Sequence, residues 1–375
     1  MTRPAARLGL VAGRDAQRAQ LLEQLLSIAT ARLAAQYADG EFVFTTIGEA
    51  TPAGGWQLRD SGRSVRYAAI AALGLLRLPE AEQRSVLAGQ TAEDLTGLLA
   101  KKLDEISGVG DAALICWAAA EAGHSELPHA VTRLGQLDRQ PGPVDVVSAA
   151  WAVSALVAAR GQVDVEEHLA MARSRLLAAR GTGGYPHVIG GGAPWYRSHV
   201  GSFADQVYPV QALARLHHSA ADPEALATAN AVARVICRAQ GAGGQWWWHY
   251  DSRTGRVVEG YPVYTVHQHA MAPMALLDLA DAGGDPHLDE VCRGLAWLAQ
   301  PPEADVALVL DEPPITWRKV ARADHRKLVR GLRAASTRLS PGLRIQLLDR
   351  VYPPRAVDHE CRPYELGWLL MTWLS

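Results

Sequence analysis

Apolar residues recur at helical spacing along almost the whole chain, and the alternation typical of strands is nearly absent. In residues 65–76 and 145–159, Ala, Leu and Val repeat at intervals of three and four positions, the period of one helix face. The segments form two classes. One class is amphipathic and charged: residues 17–36, 93–106, 166–180, 223–240 and 287–300. The other is apolar on nearly every side: residues 64–76, 111–120, 145–159, 203–216, 263–280 and 362–374.

These two classes alternate along the chain. A helix that is apolar on all faces has to be buried on all faces, so the apolar class predicts an inner layer and the charged class an outer layer. The alternation predicts an all-α fold, an α/α toroid of about six inner and six outer helices. No Ser/Gly-rich linker or charge boundary interrupts the pattern. The sequence therefore predicts one toroid domain over residues 1–375.

The connections between the two classes differ in length. Those that lead from an inner to an outer segment are short, whereas those that lead from an outer to an inner segment are long, as in residues 38–62, 181–202, 241–262 and 301–315. In an alternating ring all the long connections emerge on the same rim. Long loops in compact domains usually carry function, so this rim is the predicted active face.

Composition and charge narrow the function classes. The chain has 37 Lys and Arg against 39 Asp and Glu, a net charge of −2, which lacks the basic excess of a nucleic-acid-binding protein. No apolar run reaches the ~20 residues of a membrane-spanning helix, so no integral membrane segment is predicted. The four cysteines are scattered and the N-terminus lacks a secretory signal, which favours a cytoplasmic location. We expect a small-molecule or oligosaccharide substrate.

The long connections carry most of the polar aromatic residues. Residues 181–208 also supply Tyr185 and His187. The predicted catalytic groups are Asp205, Tyr208, His249, Asp251, Tyr261 and His267. The predicted substrate-binding groups are Trp195, Tyr196, Arg197, Trp246, Trp247, Tyr264 and His269. Because residues i and i+2 lie roughly 200° apart on a helix, His267 and His269 are not expected to share a face or a metal ion.

One motif carries a family resemblance. The segment from Gln240 to Trp246 has the form Q-x3-G-x-W and follows an amphipathic helix, so it is similar to the QW repeat of squalene-hopene and oxidosqualene cyclases. The architecture also resembles the wider toroid superfamily of terpenoid cyclases and protein prenyltransferase β subunits. In that family the motif staples helix ends and does no catalysis. The resemblance implies a biosynthetic enzyme that performs acid/base chemistry on an isoprenoid-type substrate.

The chain departs from that family at its reactive positions. Asp145 is the one acidic residue left where the cyclases place a DxDD-type motif, and we interpret it as a helix N-cap. A DDxxD magnesium motif is missing. His359 and Cys361 resemble only part of the prenyltransferase zinc set, while a structural zinc site has four ligands. The sequence therefore predicts no metal and no other cofactor, with a divalent cation left open.

Two alternatives to the terpenoid-type enzyme stay open. Carbohydrate-active α/α barrels, including glycosidases, polysaccharide lyases and uronate epimerases, carry Trp platforms beside charged groups on one rim. On that hypothesis Trp246 and Trp247 would hold sugar rings, and His or Tyr would act as acid and base. A non-catalytic binding toroid is the second alternative. The basic stretch at residues 317–333 is interpreted as a solvated outer-helix face, although it could also grip an anion.

Overall fold

The computed structural model describes residues 6–324, 328–343, 345 and 347–375. Sixteen α-helices form within these residues. In chain order they are α1 (Ala6–Arg14), α2 (Ala16–Gln36), α3 (Val65–Leu75), α4 (Glu80–Val86), α5 (Ala92–Ala100), α6 (Val109–Ala122), α7 (Leu127–Asp138), α8 (Val146–Ala159), α9 (Glu166–Ala178), α10 (Phe203–Ala220), α11 (Pro223–Ala239), α12 (Ala272–Asp281), α13 (Leu288–Ala299), α14 (Leu328–Leu339), α15 (Leu347–Val351) and α16 (Pro363–Trp373).

Short strands occupy the long connections between outer and inner helices. They are β1 (Tyr37–Ala38), β2 (Glu41–Phe42), β3 (Thr45–Ala50), β4 (Trp56–Ser61), β5 (Val144–Asp145), β6 (Val188–Ile189), β7 (Val200–Ser202), β8 (His249–Asp251), β9 (Val257–Glu259), β10 (Val263–Tyr264), β11 (Val309–Leu310), β12 (Ile315–Thr316), β13 (Lys319–Ala321), β14 (Ala356–Asp358) and β15 (Glu360–Cys361). They pair antiparallel into small two- and three-stranded sheets.

The helices form two concentric rings, which confirms the predicted α/α toroid. The inner ring runs α3, α6, α8, α10, α12 and α16, and α16 packs back against α3 to close it. The outer ring is formed by α2, α5, α7, α9, α11 and α13. The sequence-based set of outer helices lacks α7, although its buried Leu127, Ala130, Leu134 and Leu137 recur at helical spacing.

Small residues let the inner helices approach closely. In α8 the side chains from Ser148 to Leu156 are buried on every side of the helix, as the apolar pattern predicts. At the closure of the ring, a Cβ on Gly74 of α3 would lie 2.3 Å from the backbone oxygen of Gly367 in α16. The two helices therefore touch backbone to backbone, and no larger residue fits at this point.

The two ends of the ring are built differently. The long connections all gather at the end where the inner helices begin, as predicted, and they include the hairpin of β3 and β4 and the sheet of β10, β13 and β14. The opposite end has short turns and is covered by α1. There Arg7 donates to the backbone oxygen of Thr372 at 3.1 Å and pairs with Asp278 and Asp281.

Among the described residues, no helix is long and apolar enough to cross a membrane.

Candidate functional site

A cavity of about 200 Å³ opens at the end of the ring where the inner helices begin. Its wall is aromatic and cationic. The lining residues are Arg66, Tyr67, Ile70, Val147, Trp151, Ala204, Tyr208, Trp248, Tyr264, His267, Met271, Arg318 and Tyr364. Three residues predicted from the sequence as site groups, Tyr208, Tyr264 and His267, are therefore brought together here.

The fold explains how these residues converge. Arg66, Tyr208 and Tyr364 lie in the first or second turn of inner helices, and these turns point towards the ring axis on the loop side. His267 lies in a π-helical turn (His267–Met271) just before α12. The remaining groups come from the long connections, since Tyr264 ends β10 and Arg318 immediately precedes β13.

Two guanidinium groups give the cavity its charge. Arg66 Nε lies 2.5 Å from Asp111 Oδ1, and Arg66 also lies over the ring of Trp151 at 5.7 Å. Arg318 lies 5.0 Å from the ring centroid of Tyr264. Carboxylates hold both arginines from behind, but none is among the described residues that line the cavity.

Aromatic rings form the other walls. The His267 and Trp248 rings stack with an angle of 8° between their planes and 5.9 Å between their centroids. Tyr264 packs against Trp248 at 4.8 Å, and Tyr67 packs against Tyr364 at 4.8 Å. Burial lowers the pKa of His267 to about 3, so its imidazole is neutral at physiological pH.

A histidine–aspartate pair adjoins the cavity. His187 Nδ1 lies 3.0 Å from Asp205 Oδ2, and Asp205 also accepts hydrogen bonds from the backbone nitrogen and hydroxyl of Ser202 at the start of α10. Asp205 has no exposed surface, whereas the His187 side chain is 53% exposed. The neighbouring Ala204 and Tyr208 line the cavity, which places the pair at its edge.

The two groups of this pair shift each other's pKa. The hydrogen bond and the charge of Asp205 raise the pKa of His187, with a smaller contribution from Asp145. Complete burial raises the pKa of Asp205, and the hydrogen bond from His187 opposes that shift. A partly exposed imidazole with a raised pKa, backed by a buried carboxylate, can donate and accept protons near neutral pH.

A second buried carboxylate lies behind the cavity wall. Glu365, on the first turn of α16, is 2% exposed and lies 3.4 Å from Arg318 Nε. Burial raises its pKa to about 7, against the opposing charges of Arg318 and Arg362. Its Oε1 has no hydrogen-bond partner among the described residues. Glu365 holds Arg318 from behind and does not line the cavity.

His249 and Arg197 lie above the same edge. His249 is paired with Ser202 across β8 and β7. Burial and the charges of Arg197, Arg330 and His187 lower its pKa well below the usual value. Arg197 is exposed on a short helical turn (Trp195–Arg197). Both are near the His187–Asp205 pair without lining the cavity.

Asp251 and Tyr261 lie in contacts that tie loops together. Asp251 accepts two hydrogen bonds from the Arg253 guanidinium, at 2.9 and 2.8 Å, and one from the Arg253 backbone nitrogen. The Tyr261 hydroxyl donates to Glu303 at 2.7 Å, and its ring packs against Trp247. The structure does not bring either residue to the cavity, and their catalytic role stays a prediction.

The Gln240 to Trp246 segment acts as a staple between outer helices. The Gln240 side-chain nitrogen donates to the backbone oxygens of Gly244 and Glu290, at 3.0 and 2.9 Å, which joins the end of α11 to α13. Trp246 is fully buried against Phe203. Trp247 is partly buried, and neither indole lines the cavity. The neighbouring Trp248 is the tryptophan of this run that does.

The remaining predicted binding residues are dispersed. Trp195 is 68% exposed and meets Tyr196 edge to face, while Tyr196 packs under α14 against Ala334. His269 is fully buried on the other side of the π-helical turn from the cavity, and burial lowers its pKa to about 3. The two histidines thus diverge, as their spacing predicts.

Two sequence interpretations of single motifs have definite outcomes. Asp145 is the N-cap of α8, accepting a hydrogen bond from the Ser148 backbone nitrogen at 2.8 Å, so that prediction is confirmed. The described part of the stretch 317–333 is not a solvated outer-helix face, because Trp317 and Arg333 are buried, residues 319–321 form β13, and the side chains of Arg318 and Arg322 are largely buried in ion pairs. Its residues 325–327 lie outside the described residues.

The prenyltransferase-like pair does not form a metal centre among the described residues. His359 packs against Trp56 and Trp317, and burial raises the pKa of the Cys361 thiol. No group of three or more His, Cys, Asp or Glu side chains in the described part of the chain is arranged to hold a metal ion.

Arg66, Trp151, Arg318, Tyr364 and Glu365 are site residues that sequence reasoning missed. A sequence signal was available for all of them except Arg318, because they lie in the segments predicted as inner helices. Arg66, Tyr364 and Glu365 also fall in the first turns of those helices. Arg318 had no such signal, since its place depends on the pairing of β13 with β10 and β14.

Comparison with known proteins gives structural neighbours only. No protein-family model matches the chain, and no curated protein matches it. Among solved structures, an unsaturated glucuronyl hydrolase specific for heparin has a TM-score of 0.58 at 13% identity over 94% of both chains. An unsaturated glucuronyl hydrolase from Streptococcus agalactiae has a TM-score of 0.56 at 11% identity, covering 94% of this chain and 90% of that one.

A third neighbour, described as a possible member of the GH105 family from Klebsiella pneumoniae, has a TM-score of 0.55 at 9% identity over 95% and 92% of the two chains. These structures share the α/α toroid with this chain. The expectation of a terpenoid cyclase or prenyltransferase-like enzyme is therefore wrong: the neighbours are sugar hydrolases, and the terpenoid family implied by the QW-like segment is not shown. The carbohydrate-active alternative is the one that they favour.

Proposed function

We propose that this chain is a glycoside hydrolase that removes a terminal acidic sugar, of the uronate type, from an oligosaccharide. The observation that carries this proposal is the cavity wall, in which Arg66 and Arg318 are the charged side chains among the described lining residues. The solved structures with the same toroid include unsaturated glucuronyl hydrolases. A sugar carboxylate would meet two cations and no lining carboxylate.

The chemistry of the wall suits such a ligand. Guanidinium groups bind carboxylates through paired, charge-assisted hydrogen bonds. Each arginine is held by a carboxylate outside the lining, Arg66 by Asp111 and Arg318 by Glu365, so its orientation is fixed before the ligand arrives. Pre-oriented groups lose less entropy on binding.

The aromatic rings would contact the rest of the sugar. Trp248 and Tyr264 offer faces to the C–H surface of a pyranose, and the tyrosine hydroxyls offer donors to its hydroxyl groups. The buried nitrogens Trp151 Nε1, Trp248 Nε1 and His267 Nδ1 have no hydrogen-bond partner among the described residues. Buried polar groups are usually satisfied, and sugar oxygens or ordered water would satisfy these.

The size of the cavity favours action at a chain end. Its volume, about 200 Å³, is below the ~300–1,000 Å³ of sites that enclose drug-sized ligands. One sugar ring would occupy it, and the rest of the oligosaccharide would extend past the loops of the rim.

The His187–Asp205 pair would supply the proton transfer. Because His187 Nδ1 faces Asp205, its Nε2 is the atom free to exchange a proton with a substrate or a water. In this proposal Asp205 orients His187 and stabilises its protonated form, and His187 acts as the acid or base. Tyr208, one turn after Asp205, would contact the sugar.

The test is turnover of matched disaccharides. Purified protein is offered an unsaturated glucuronyl disaccharide, the corresponding saturated glucuronide and the neutral glucoside, and the products are separated by chromatography. We expect cleavage of an acidic disaccharide and none of the neutral one. Cleavage of the neutral glucoside at an equal rate, or no cleavage and no binding of any acidic sugar by calorimetry, would contradict the proposal.

A further inference from the structure

The connection between β13 and β14 is an insertion with its own charge and its own apolar surface. The two strands pair directly, with Ala321 opposite Ala356, and residues 322–355 leave the sheet and return to it. This insertion holds nine Lys and Arg against two acidic residues, a net charge of +7, whereas the whole chain has −2. The protein is therefore strongly basic at this one place.

Exposed apolar side chains concentrate on the same insertion. Of the eleven large hydrophobic side chains that are exposed among the described residues, six belong to it: Leu328, Leu332, Leu339, Leu343, Leu347 and Val351. Single exposed apolar residues are ordinary, but a group of them on one surface marks a contact site for a protein, a membrane or a ligand.

In α14 the exposed leucines form one stripe. At 100° per residue, Leu328, Leu332 and Leu339 lie within roughly 40° of one another around the helix axis. The buried side chains Ala334 and Thr337 lie on the far side, facing the protein. The helix is thus amphipathic with its leucine stripe directed outwards, the reverse of a surface helix that covers a core.

The insertion is fastened to the rim, so the stripe stays outward. Arg333 pairs with Glu259 at 3.2 Å and with Asp349 at 2.7 Å, and Arg322 also pairs with Glu259 at 3.2 Å. Arg253 donates to the backbone oxygen of Thr337 at 2.9 Å. Arg322 and Arg333, on the side of the insertion that faces the protein, are therefore engaged in ion pairs.

Other basic residues of the insertion remain exposed. Arg338, Arg350 and Arg355 are exposed, and the described residues offer them no ion pair. Cationic side chains beside an outward leucine stripe are the composition of helices that lie in the interface of an anionic bilayer. We infer that residues 328–343, 345 and 347–355 form a docking surface for an anionic lipid membrane.

Two other occupants fit less well. A second copy of this chain, docked through the same surface, would place the exposed Arg338, Arg350 and Arg355 of one copy against those of the other, which is repulsive. A polyanionic saccharide would satisfy the arginines but would leave the leucine stripe in water. The membrane satisfies both.

The test is co-sedimentation of the full chain with vesicles. Vesicles of phosphatidylcholine with phosphatidylglycerol are compared with vesicles of phosphatidylcholine alone, at low and high salt. We expect binding to the anionic vesicles that weakens as salt screens the charges. The double variant Leu332→Ser/Leu347→Ser should lose at least about ten-fold in affinity, because each leucine buries apolar surface in the bilayer.

Matched control variants distinguish binding through this surface from nonspecific binding to vesicles. Leu10, on α1, is 51% exposed, close to the 50% of Leu332, and Leu10→Ser should bind vesicles like the parent chain. Each of Arg338→Gln and Arg350→Gln should weaken binding about five-fold, while Arg59→Gln should not. Thermal unfolding is expected to be unchanged in these variants, since all the altered side chains are exposed.

Several results would overturn the inference. One is absence of sedimentation with anionic vesicles, and another is equal binding by Leu332→Ser/Leu347→Ser and the parent. If the parent chain is a dimer in solution and the double variant is a monomer, the surface would be assigned to a second copy of the chain. Retention on heparin without vesicle binding would assign it to a polyanionic saccharide.

Discussion

The two ends of the toroid are formed by the same six inner helices but treat charge in opposite ways. At the loop-bearing end, Arg66 and Arg318 line the cavity and their carboxylate partners stand outside the described lining. At the other end, cations and carboxylates line one pocket together, and Glu121 pairs with both Arg77 and Arg215 at 2.8 and 2.7 Å. At the loop-bearing end the carboxylates that pair with the arginines lie outside the described lining, whereas at the other end carboxylates and cations share the lining.

The helix termini contribute to this difference. Inner helices direct their free backbone N–H groups to the loop-bearing end and their free carbonyls to the opposite end. The first end therefore favours anions, and the second favours cations. Arg7 at the second end meets that preference, since it donates to the backbone oxygen of Thr372 near the end of α16. The cavity at the loop-bearing end takes one cation, Arg66, from an inner helix and the other, Arg318, from a long connection.

The largest effect is expected from removing the proposed acid/base at the loop-bearing end. We expect His187→Ala to lower kcat by about 10²–10⁴-fold, the usual contribution of a positioned proton donor. The His187 side chain is 53% exposed and bonds only Asp205 among the described side chains, so the melting temperature should change little. Steady-state kinetics on the acidic disaccharide and thermal unfolding measure the two effects.

A second histidine–aspartate pair provides the control for that variant. His129 lies 3.2 Å from Asp104 and is not at the cavity. His129→Ala should retain the parent kcat. Equal losses in the two variants, or full activity in His187→Ala, would show that the pair beside Asp205 does no proton transfer.

Substitutions at the opposite end should lower the free energy of unfolding and leave kcat unchanged. In Glu121→Gln the guanidinium groups of Arg77 and Arg215 lose their shared partner, whose pKa they lower to about 2. Leaving cations without their carboxylate in a largely buried pair costs about 3 kcal/mol, which urea denaturation measures. Glu80→Gln, in an exposed pair with Arg84, should cost less than about 1 kcal/mol. A loss of kcat in Glu121→Gln without a loss of stability would contradict the contrast between the ends.

A smaller effect, on KM, should distinguish the arginine at the loop-bearing end from the arginine at the opposite end. Arg66→Gln removes one charge from the cavity and should raise KM for the acidic disaccharide by about ten-fold, the value of one charge-assisted hydrogen bond. The same variant should leave binding of a neutral sugar unchanged. Arg77→Gln, at the other end, should leave both KM values unchanged. If Arg77→Gln raised KM for the acidic disaccharide as much as Arg66→Gln does, the substrate site would not be confined to the loop-bearing end.

The fold was largely readable from the sequence because burial is written into the periodicity. Residues 145–159 are apolar on all sides, and α8 is buried on all sides. The difference in loop length also predicted which end carries the cavity. Helix α7 was not predicted, because its few apolar positions lie in a polar segment that begins with Leu127-Pro128.

The site was only partly readable, since its members meet through packing between distant segments. Tyr208, Tyr264 and His267 were found because each follows a long connection. Arg318 was not, since its place is set by the pairing of β10, β13 and β14, which no local pattern encodes. The QW-like segment misled for the opposite reason: its local form encodes a staple between outer helices, and that form carries no information on the chemistry in the cavity.

The finest test of the loop-bearing end is the pH dependence of its activity. Asp205 raises the pKa of His187 above its usual value of 6.5. If protonated His187 donates the proton, kcat should fall as the pH rises through that raised pKa. Asp205→Asn keeps the size of the side chain but removes its charge, so the alkaline limb of the kcat profile should move to lower pH.

Glu365 supplies the competing explanation of the same limb, because burial raises its pKa to about 7. In Glu365→Gln a limb caused by His187 should stay near the parent position, although a neutral partner for Arg318 would raise KM. A limb that moves in Glu365→Gln and stays fixed in Asp205→Asn would assign the titration to the carboxyl behind Arg318. Because the two groups lie in different elements, His187 in a loop and Glu365 on α16, the two pH profiles identify which of them carries the proton.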